Sequence, residues 1–493
     1  MSNSRSLLNN LVWKFSERTL SQLIKLVISI ILARILDPSD YGLVGMVMVF
    51  IALSYVIIDG GFNNALIQKK NADALDFSTV LYFSVTFSLV IYALLFFCAP
   101  YIAAFYGEGY EELTSILRVL GLQVVIYSMN SVQQAYVAKR MMFKKFFFAT
   151  TWATVISGAV GLYMAYSGYG VWALVWQGII AAFIELVVLY MMTRKRPLLA
   201  FSFERLKGLL RYGINIFASY FLISVYTEMW ALVIGKMYTA RDLGFYTKGR
   251  TYPSLVITNI NSSIGAVLFP KISMDQNDLE KVKATARLSI RFSAYVVFPV
   301  MLGLATVAEP LVRLLLTDKW LPCVTLLQWF CIVYLFHPIH TANIQVIKAI
   351  GRSDIFLKLE VLKKTIELLS FLAVMWISVE AIVINMAVLA TLFTYVNAWP
   401  NKKLIDYSFR EQLIDVASPL LMVAVMVLAM LSVRVFISND LLLLITQIAI
   451  GLTVYITLSS ISKNKEYQFI LQTINTRLGI IKKKSSGFMT NKL

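Results

Sequence analysis

Histidine and cysteine are nearly missing from this sequence, with 2 and 3 residues among 493. His337 and His340 flank Pro338, and Cys98, Cys323 and Cys331 lie in or beside apolar stretches. Neither set has the spacing of metal ligands, so no metal site is expected, and three scattered thiols build no disulfide framework. We expect all three thiols to be buried and inert. No GxxxxGK[ST] segment is present to cradle nucleotide phosphates, and HExxH, GxSxG and CxxC are also absent. No loop is long enough for a soluble catalytic domain. These absences argue against an ATP-driven or catalytic protein. They leave a proton or sodium gradient, the membrane potential or a substrate gradient as the energy source, with no cofactor.

Acid is scarce as well: 27 Asp and Glu stand against 45 Lys and Arg, for a net charge of +18. Such a charge suggests nucleic acid, but the cations form short clusters between apolar runs. No single basic face or aromatic-basic module appears, so no nucleic-acid partner is expected. The N-terminus lacks the plan of a signal peptide, since charges break its first apolar run and no small-residue cleavage site follows. The first helix is expected to be retained with Met1 in the cytoplasm.

What is abundant is grease. The chain is 59% hydrophobic and 15% charged, too apolar for one soluble core and typical of polytopic membrane proteins. A spanning helix takes about 20 mostly apolar residues. Fourteen candidates follow: 11–35, 41–60, 79–100, 113–137, 147–166, 170–192, 213–236, 245–270, 287–307, 323–348, 355–377, 380–399, 415–436 and 441–461. The first, seventh, eighth and eleventh are the most polar. The expected fold is therefore all-α. With the N-terminus inside, the basic loops "AKRMMFKK" (138–145), "TRKRP" (193–197) and "KKLIDYSFR" (402–410) and the tail segment "IKKKSS" (481–486) are cytoplasmic. The loops "YGEGYEE" (106–112), "YSGYGV" (166–171) and "SVE" (378–380), which have no Lys or Arg, lie outside. That asymmetry is the positive-inside pattern, and an even number of spans places both termini in the cytoplasm. The connection carrying Lys236, Arg241, Lys248 and Arg250 is the outside loop that breaks it. Beyond Ser462 the basic tail carries Phe469, Ile470, Ile474 and Leu478, a pattern suited to the anionic cytoplasmic leaflet of a lipid membrane.

The sequence also echoes itself. "ILARILDPSDYGL" from Ile31 and "VIGKMYTARDLGF" from Val233 align at a shift of 202, pairing Arg34 with Lys236, Asp40 with Asp242 and Gly42 with Gly244. The same register pairs Lys69 with Lys271 and Asp73 with Asp275. A later echo sets "QQAYVAKRMMFKKFF" (133–147) against "ANIQVIKAIGRSDIF" (342–356). A repeat of six spans enters the bilayer from the same side in both copies, the two-lobe plan of many secondary transporters. The expected organisation is an N-terminal six-helix lobe (1–200), a C-terminal six-helix lobe (201–400), two additional transmembrane helices (401–461) and a basic cytoplasmic tail (462–493).

One span is anomalous. In "LVWKFSERTLSQLIKLVISIILARIL" (11–36), Lys14, Arg18, Ser21 and Lys25 fall within about 60° of arc at 100° per residue. Lys14 can snorkel to the surface, but Lys25 is about 15 Å from either end of the span. A cation facing lipid there costs about 2.5–3.5 kcal/mol on insertion scales. The stripe should therefore face protein or water. Structural ion pairs with Glu228 in the seventh span and Glu185 in the sixth are one reading. A wet cavity for an anion is the other, and the stripe's surplus of cations favours it. Glu360–Lys364 and Lys363–Glu367 in the eleventh span are i,i+4 pairs that can neutralise each other. Lys248 and Arg250 open the eighth span, where they could serve the outward end of an anion path.

The chain resembles the bacterial lipopolysaccharide and exopolysaccharide flippases of the multidrug/oligosaccharidyl-lipid/polysaccharide exporter superfamily. The likeness is carried by "LARILDPSDYGL" (32–43), "GGFNNALIQKK" (60–70), "GAVLFPKIS" (265–273), "LVRLLLTDKW" (311–320) and "IKAIGRSD" (347–354). It implies fourteen helices, two lobes and an alternating-access cavity in the cytoplasmic (inner) membrane. The implied cargo is a polyprenyl-diphosphate-linked oligosaccharide carried to the outer leaflet for lipopolysaccharide or exopolysaccharide synthesis. A polysaccharide polymerase and chain-length machinery would be partners. Lys14, Arg18, Lys25, Ser21 and Arg250 are then candidates for holding the anionic headgroup, and Glu228 or Glu185 for ion coupling. The alternatives are a multidrug exporter on the same scaffold, a membrane polymerase or glycosyltransferase, and a structural scaffold.

Overall fold

The computed structural model describes residues 20–194, 198–275 and 277–472. Lys14 and Arg18 lie outside the described residues, as does the tail beyond residue 472. Everything regular among the described residues is helical. In lipid, a helix satisfies its own backbone groups, so a chain this apolar has few other solutions.

Helix α1 covers residues 20–35. It is followed by α2 (Pro38–Asp59), α3 (Phe62–Gln68), α4 (Ala74–Tyr106), α5 (Glu112–Leu120), α6 (Leu122–Lys139), α7 (Phe143–Tyr166), α8 (Trp172–Thr193) and α9 (Phe203–Met237). After these come α10 (Ala240–Met274), α11 (Leu279–Thr306), α12 (Ala308–Leu316), α13 (Cys323–Leu335), α14 (His337–Ala349), α15 (Ser353–Val374), α16 (Val379–Ile405), α17 (Phe409–Val433) and α18 (Asp440–Ile461). Among the described residues, eleven helical stretches are long and apolar enough to cross a membrane. The other three expected spans are helical where they are described but fall short by that measure: α1 is described only from residue 20, and α10 and α15 are the polar ones.

Short polar side chains punctuate the grease. Asp37 caps α2 in a reciprocal box with Asp40, with Pro38 in the first turn. Asp73 and Asp76 do the same for α4, and Ser408 and Glu411 for α17. The internal repeat has a structural counterpart here. Asp40 accepts from the Asp37 N–H at 3.0 Å, and Asp242 from the Thr239 N–H at 3.1 Å, so both stabilise the start of their helix. The register does not hold further on. Asp73 caps α4, but the cap of α11 is Asp278, three residues beyond Asp275, because α10 runs on to Met274, past the position where α3 ends in the first copy; Asp275 instead pairs with Lys271 at 2.8 Å.

Residues 1–247 and 248–493 form two compact units. In the first, α3 anchors the core: Phe62, Ala65 and Leu66 pack with Val80 of α4, Val132 and Ala135 of α6, and Leu206 and Leu209 of α9. Beneath them Asp76, with no exposed side chain, bonds Lys69 at 2.7 Å and Arg205 at 3.1 Å. Glycines let backbones touch. A Cβ on Gly42 would lie 1.6 Å from the Ala240 carbonyl oxygen, and one on Gly61 2.4 Å from that of Gly213. Small residues at such crossings are the usual device of membrane helix packing.

In the second unit, Lys283, Arg287 and Arg291 form a ladder on α11. Lys283 pairs with Glu411 at 3.0 Å, Arg287 with Asp415 at 2.7 Å, and Arg291 with Glu466 at 2.8 Å. These bonds hold α17 and the short helix 465–472, where the tail begins, against the repeat. A buried amide knot of Asn343, Asn401 and Gln412 adds to them.

Three expectations need correction. Cys98 is exposed, unlike the buried Cys323 and Cys331, because it shares the outer face of α4 with Phe97 and Tyr101. On α15 the ion pairs are Lys363–Glu360 (2.6 Å) and Lys364–Glu367 (2.8 Å), at i,i+3 rather than i,i+4. Both spacings share a helix face; Lys363 turns back toward the buried side, where Glu360 meets it. The basic loop after the seventh span is only two residues, Tyr238 and Thr239, so its cations sit on helices. Lys236 donates to the Phe105 carbonyl at the end of α4, where a cation suits the helix dipole.

Candidate functional site

Two cavities in the first unit bring the intramembrane polar groups together. One, of about 360 Å³, lies among α1, α2, α7 and α8. Lys25 lines it together with Ser29, Tyr41, Thr150, Gln177 and Glu185. One turn before Lys25, Ser21 is buried against Thr150, its hydroxyl 3.4 Å from the threonine's. Of the described part of the stripe, Ser21 is buried against protein, while Lys25 is exposed overall and lines a cavity whose wall mixes these polar groups with Ile28, Leu32, Val44 and Leu174. Glu185 accepts from Gln134 Nε2 at 2.9 Å and is near enough to Lys25 to attract it, but the two are not in salt-bridge contact.

The second cavity, of about 430 Å³, is framed by α2, α3, α6 and α9. Glu228 lines it, so the two acids singled out from sequence belong to different cavities. Its floor includes Gly61, where a φ of +77° and the contact with the Gly213 backbone exclude a side chain. Asp59 stands beside Tyr55, Asn63, Asn64 and Tyr127. Its Oδ1 is buried and has no hydrogen-bond partner among the described residues. Tyr55 donates to Gln123 Oε1 at 3.0 Å and stacks on Tyr127, with ring centroids 4.2 Å apart. Sequence reasoning missed this cluster. The available signal was Asp59 itself, the one carboxylate in the apolar run 41–60, where an ionisable residue marks a site by default.

Arg250 lies in the second unit, half-buried, with its Nε donating to Tyr334 Oη at 3.3 Å. His337 meets Asn261 at 3.3 Å and His340 meets Thr394 at 2.9 Å. Among the described residues no three metal-ligating side chains converge.

Comparison with known proteins adds the following. Residues 31–325 match Polysacc_synt_3, the polysaccharide biosynthesis protein family. The chain is 24% identical over 321 residues to the succinoglycan biosynthesis transport protein ExoT of Rhizobium meliloti (strain 1021), covering 64% of each chain. It is 26% identical over 339 residues to the lipopolysaccharide biosynthesis protein WzxC of Escherichia coli (strain K12), covering 68% of each. The alignment therefore spans just under two thirds of ExoT and slightly more of WzxC. Among solved structures, the inward closed lipid II flippase MurJ superposes with a TM-score of 0.76 at 14% identity, over 94% of this chain and 100% of that one. An inward-facing multidrug resistance MATE transporter gives 0.60 at 16% identity, over 80% and 99%. The fold is that of these transporters.

Proposed function

Because the chain belongs to the polysaccharide biosynthesis protein family, we propose that it is a flippase. It carries a polyprenyl-diphosphate-linked oligosaccharide from the cytoplasmic to the outer leaflet of the inner membrane. The names of ExoT and WzxC, transport and lipopolysaccharide biosynthesis proteins, support the class of cargo. The observation that carries the reading is Lys25, a cation deep in an apolar chain that lines a cavity beside Ser29, Thr150, Gln177 and Glu185 and has no salt-bridge partner among the described residues. In a poorly solvated space its attraction for a diphosphate is stronger than in water. Lys14, Arg18 and Ser21 extend the same stripe, and Arg250 serves the outward path. The prenyl tail stays in lipid while the sugars follow the headgroup. Movement is alternating access of two six-helix lobes, residues 1–200 and 201–400, with 401–461 as accessory helices, both termini cytoplasmic and Glu185 or Glu228 coupling an ion. A polymerase with chain-length machinery takes the product.

A multidrug exporter is the second reading, favoured by Asp59 and Glu228 on a cavity that no Lys or Arg among the described residues lines. Deleting the gene separates the two. Loss of surface polysaccharide with unchanged resistance to cationic drugs is expected; drug hypersensitivity with normal polysaccharide would overturn the flippase reading.

A further inference from the structure

We propose that the groove between α10, α11 and the helix 465–472 holds an anionic phospholipid of the surrounding bilayer, with an acyl chain among its apolar side chains and the phosphate at Lys465 and Lys271. The groove lies within the second unit and has a volume of about 720 Å³. Its walls follow from helical spacing. Ile264, Leu268 and Lys271 recur at i, i+4 and i+7 on α10, and Thr285, Leu288 and Phe292 at i, i+3 and i+7 on α11, so each set shares one face. Phe469 of the short helix forms the third wall, its ring edge-on to that of Phe292 with centroids 6.2 Å apart. Arg291 pins that wall to α11 through Glu466 at 2.8 Å. The groove has a polar end and an apolar end. Lys271 is in the last turn of α10 and Lys465 in the first turn of the short helix, both at the ends of their elements. Ile264 lies seven residues further in than Lys271, about 10 Å at the rise of a helix.

Charge and polarity name the occupant. Leu288 and Phe469 are 63% and 60% exposed, and α11 is long and apolar enough to cross a membrane, so this surface meets acyl chains rather than water. At the mouth, Glu466 is paired with Arg291 and Lys271 with Asp275. Lys465 has no acid in salt-bridge contact among the described residues, which leaves one positive charge over. That surplus complements the single negative charge of a phosphatidylglycerol headgroup. Lys271 is more than half exposed, and its ammonium has three donors, of which Asp275 needs one. A basic pocket between helices at the membrane face is a recurrent cradle for anionic headgroups. The leaflet is the one on the side of the tail, the cytoplasmic one in the orientation proposed above. The ligand is a component of the bilayer, so this site is independent of the cargo and of the Lys25 cavity in the first unit.

The test is native mass spectrometry of the full-length protein in detergent, titrated with phosphatidylglycerol, with phosphatidylcholine of the same acyl chains, and with polyprenyl phosphate. Wild type is compared with Lys465→Gln, with Lys402→Gln as an exposed lysine outside the groove, and with Ser289→Phe, which fills the groove without changing its charge. Leu288→Ala at its exposed position stands in if the phenylalanine variant does not fold. Wild type should prefer phosphatidylglycerol to phosphatidylcholine by about fivefold or more, and Lys465→Gln should remove about fivefold of that affinity while phosphatidylcholine stays within about twofold. Lys402→Gln should leave the preference unchanged, and filling or trimming the groove should weaken both phospholipids. Equal affinity for the two phospholipids would overturn the proposal. So would a preference that survives Lys465→Gln, or one that Lys402→Gln lowers as much, which would make it a property of the whole basic face. Polyprenyl phosphate that displaces phosphatidylglycerol at equal concentration, and whose own binding falls with Ser289→Phe, would assign the groove to the cargo and also overturn it.

Discussion

Gly61→Ala should unfold well below wild type, and Gly208→Ala should not. At Gly61 the backbone has φ +77°, and an added Cβ would lie 2.4 Å from the Gly213 carbonyl oxygen and 2.8 Å from its Cα. The left-handed conformation costs an L-residue about 1–2 kcal/mol. Overpacking adds about 1–3 kcal/mol, and no side chain can swing aside because the neighbour is backbone. The sum is about 2–5 kcal/mol. Gly60 supplies an intermediate case: its φ is +50°, but the nearest atom is the Phe62 ring at 3.1 Å, which can turn. Only the backbone term of about 1–2 kcal/mol remains there. A Cβ on Gly208 meets nothing within 4 Å in an exposed helical position, so alanine should be neutral or stabilising by up to about 1 kcal/mol. Tryptophan fluorescence during thermal unfolding in detergent ranks the three. A Gly61→Ala protein that melts with Gly208→Ala would refute the close approach of α9 and with it the floor of the Asp59 cavity.

Asp76→Ala removes the carboxylate that Lys69 and Arg205 share; because both cations are about a third exposed and Arg205 keeps Asp73 at 2.8 Å, the loss should fall below the about 3–5 kcal/mol typical of breaking a buried pair; denaturant unfolding measures it. Asp73 has its carboxyl held below the usual range by the Asp76 N–H and then by Arg205. Its stabilisation is therefore complete above the unfolded value near pH 4 and fades as pH falls through the lower folded value, so Asp73→Asn should flatten the acid limb of a melting-temperature profile. Lys25→Ala and Arg18→Ala should each cut polysaccharide export about tenfold or more with membrane insertion unchanged, and Arg18→Lys should be milder; surface polysaccharide against protein level in the membrane reads both.

The helices were legible because lipid leaves the backbone no other choice, and Asp40, Gly42, Asp242 and Gly244 because caps and close crossings admit few residue types. The span over α15 was readable only in outline: its charges lower its hydropathy, and sequence spacing alone does not decide whether Lys363 reaches Glu360 or Glu367. Cys98 misled because an apolar stretch in a membrane chain has an outer face as well as an inner one. Lys25 could be placed on a cavity because the cost of a cation in lipid is large and one-sided. The Asp59 cluster could not be assembled from sequence. Tyr55, Tyr127 and Glu228 come from three helices far apart in the chain; the Tyr55–Tyr127 and Tyr55–Gln123 contacts join α2 to α6, and the packing at Gly61 and Gly213 brings α9 to the α2–α3 turn.

Transfer of the cargo itself is the decisive measurement. The purified protein, reconstituted in liposomes with a defined lipid-diphosphate oligosaccharide, should raise the rate at which the glycan appears in the opposite leaflet under imposed proton or sodium gradients, and Lys25→Ala should slow it. No transfer above protein-free liposomes under any gradient, or formation of glycosidic bonds by the protein, would contradict the account.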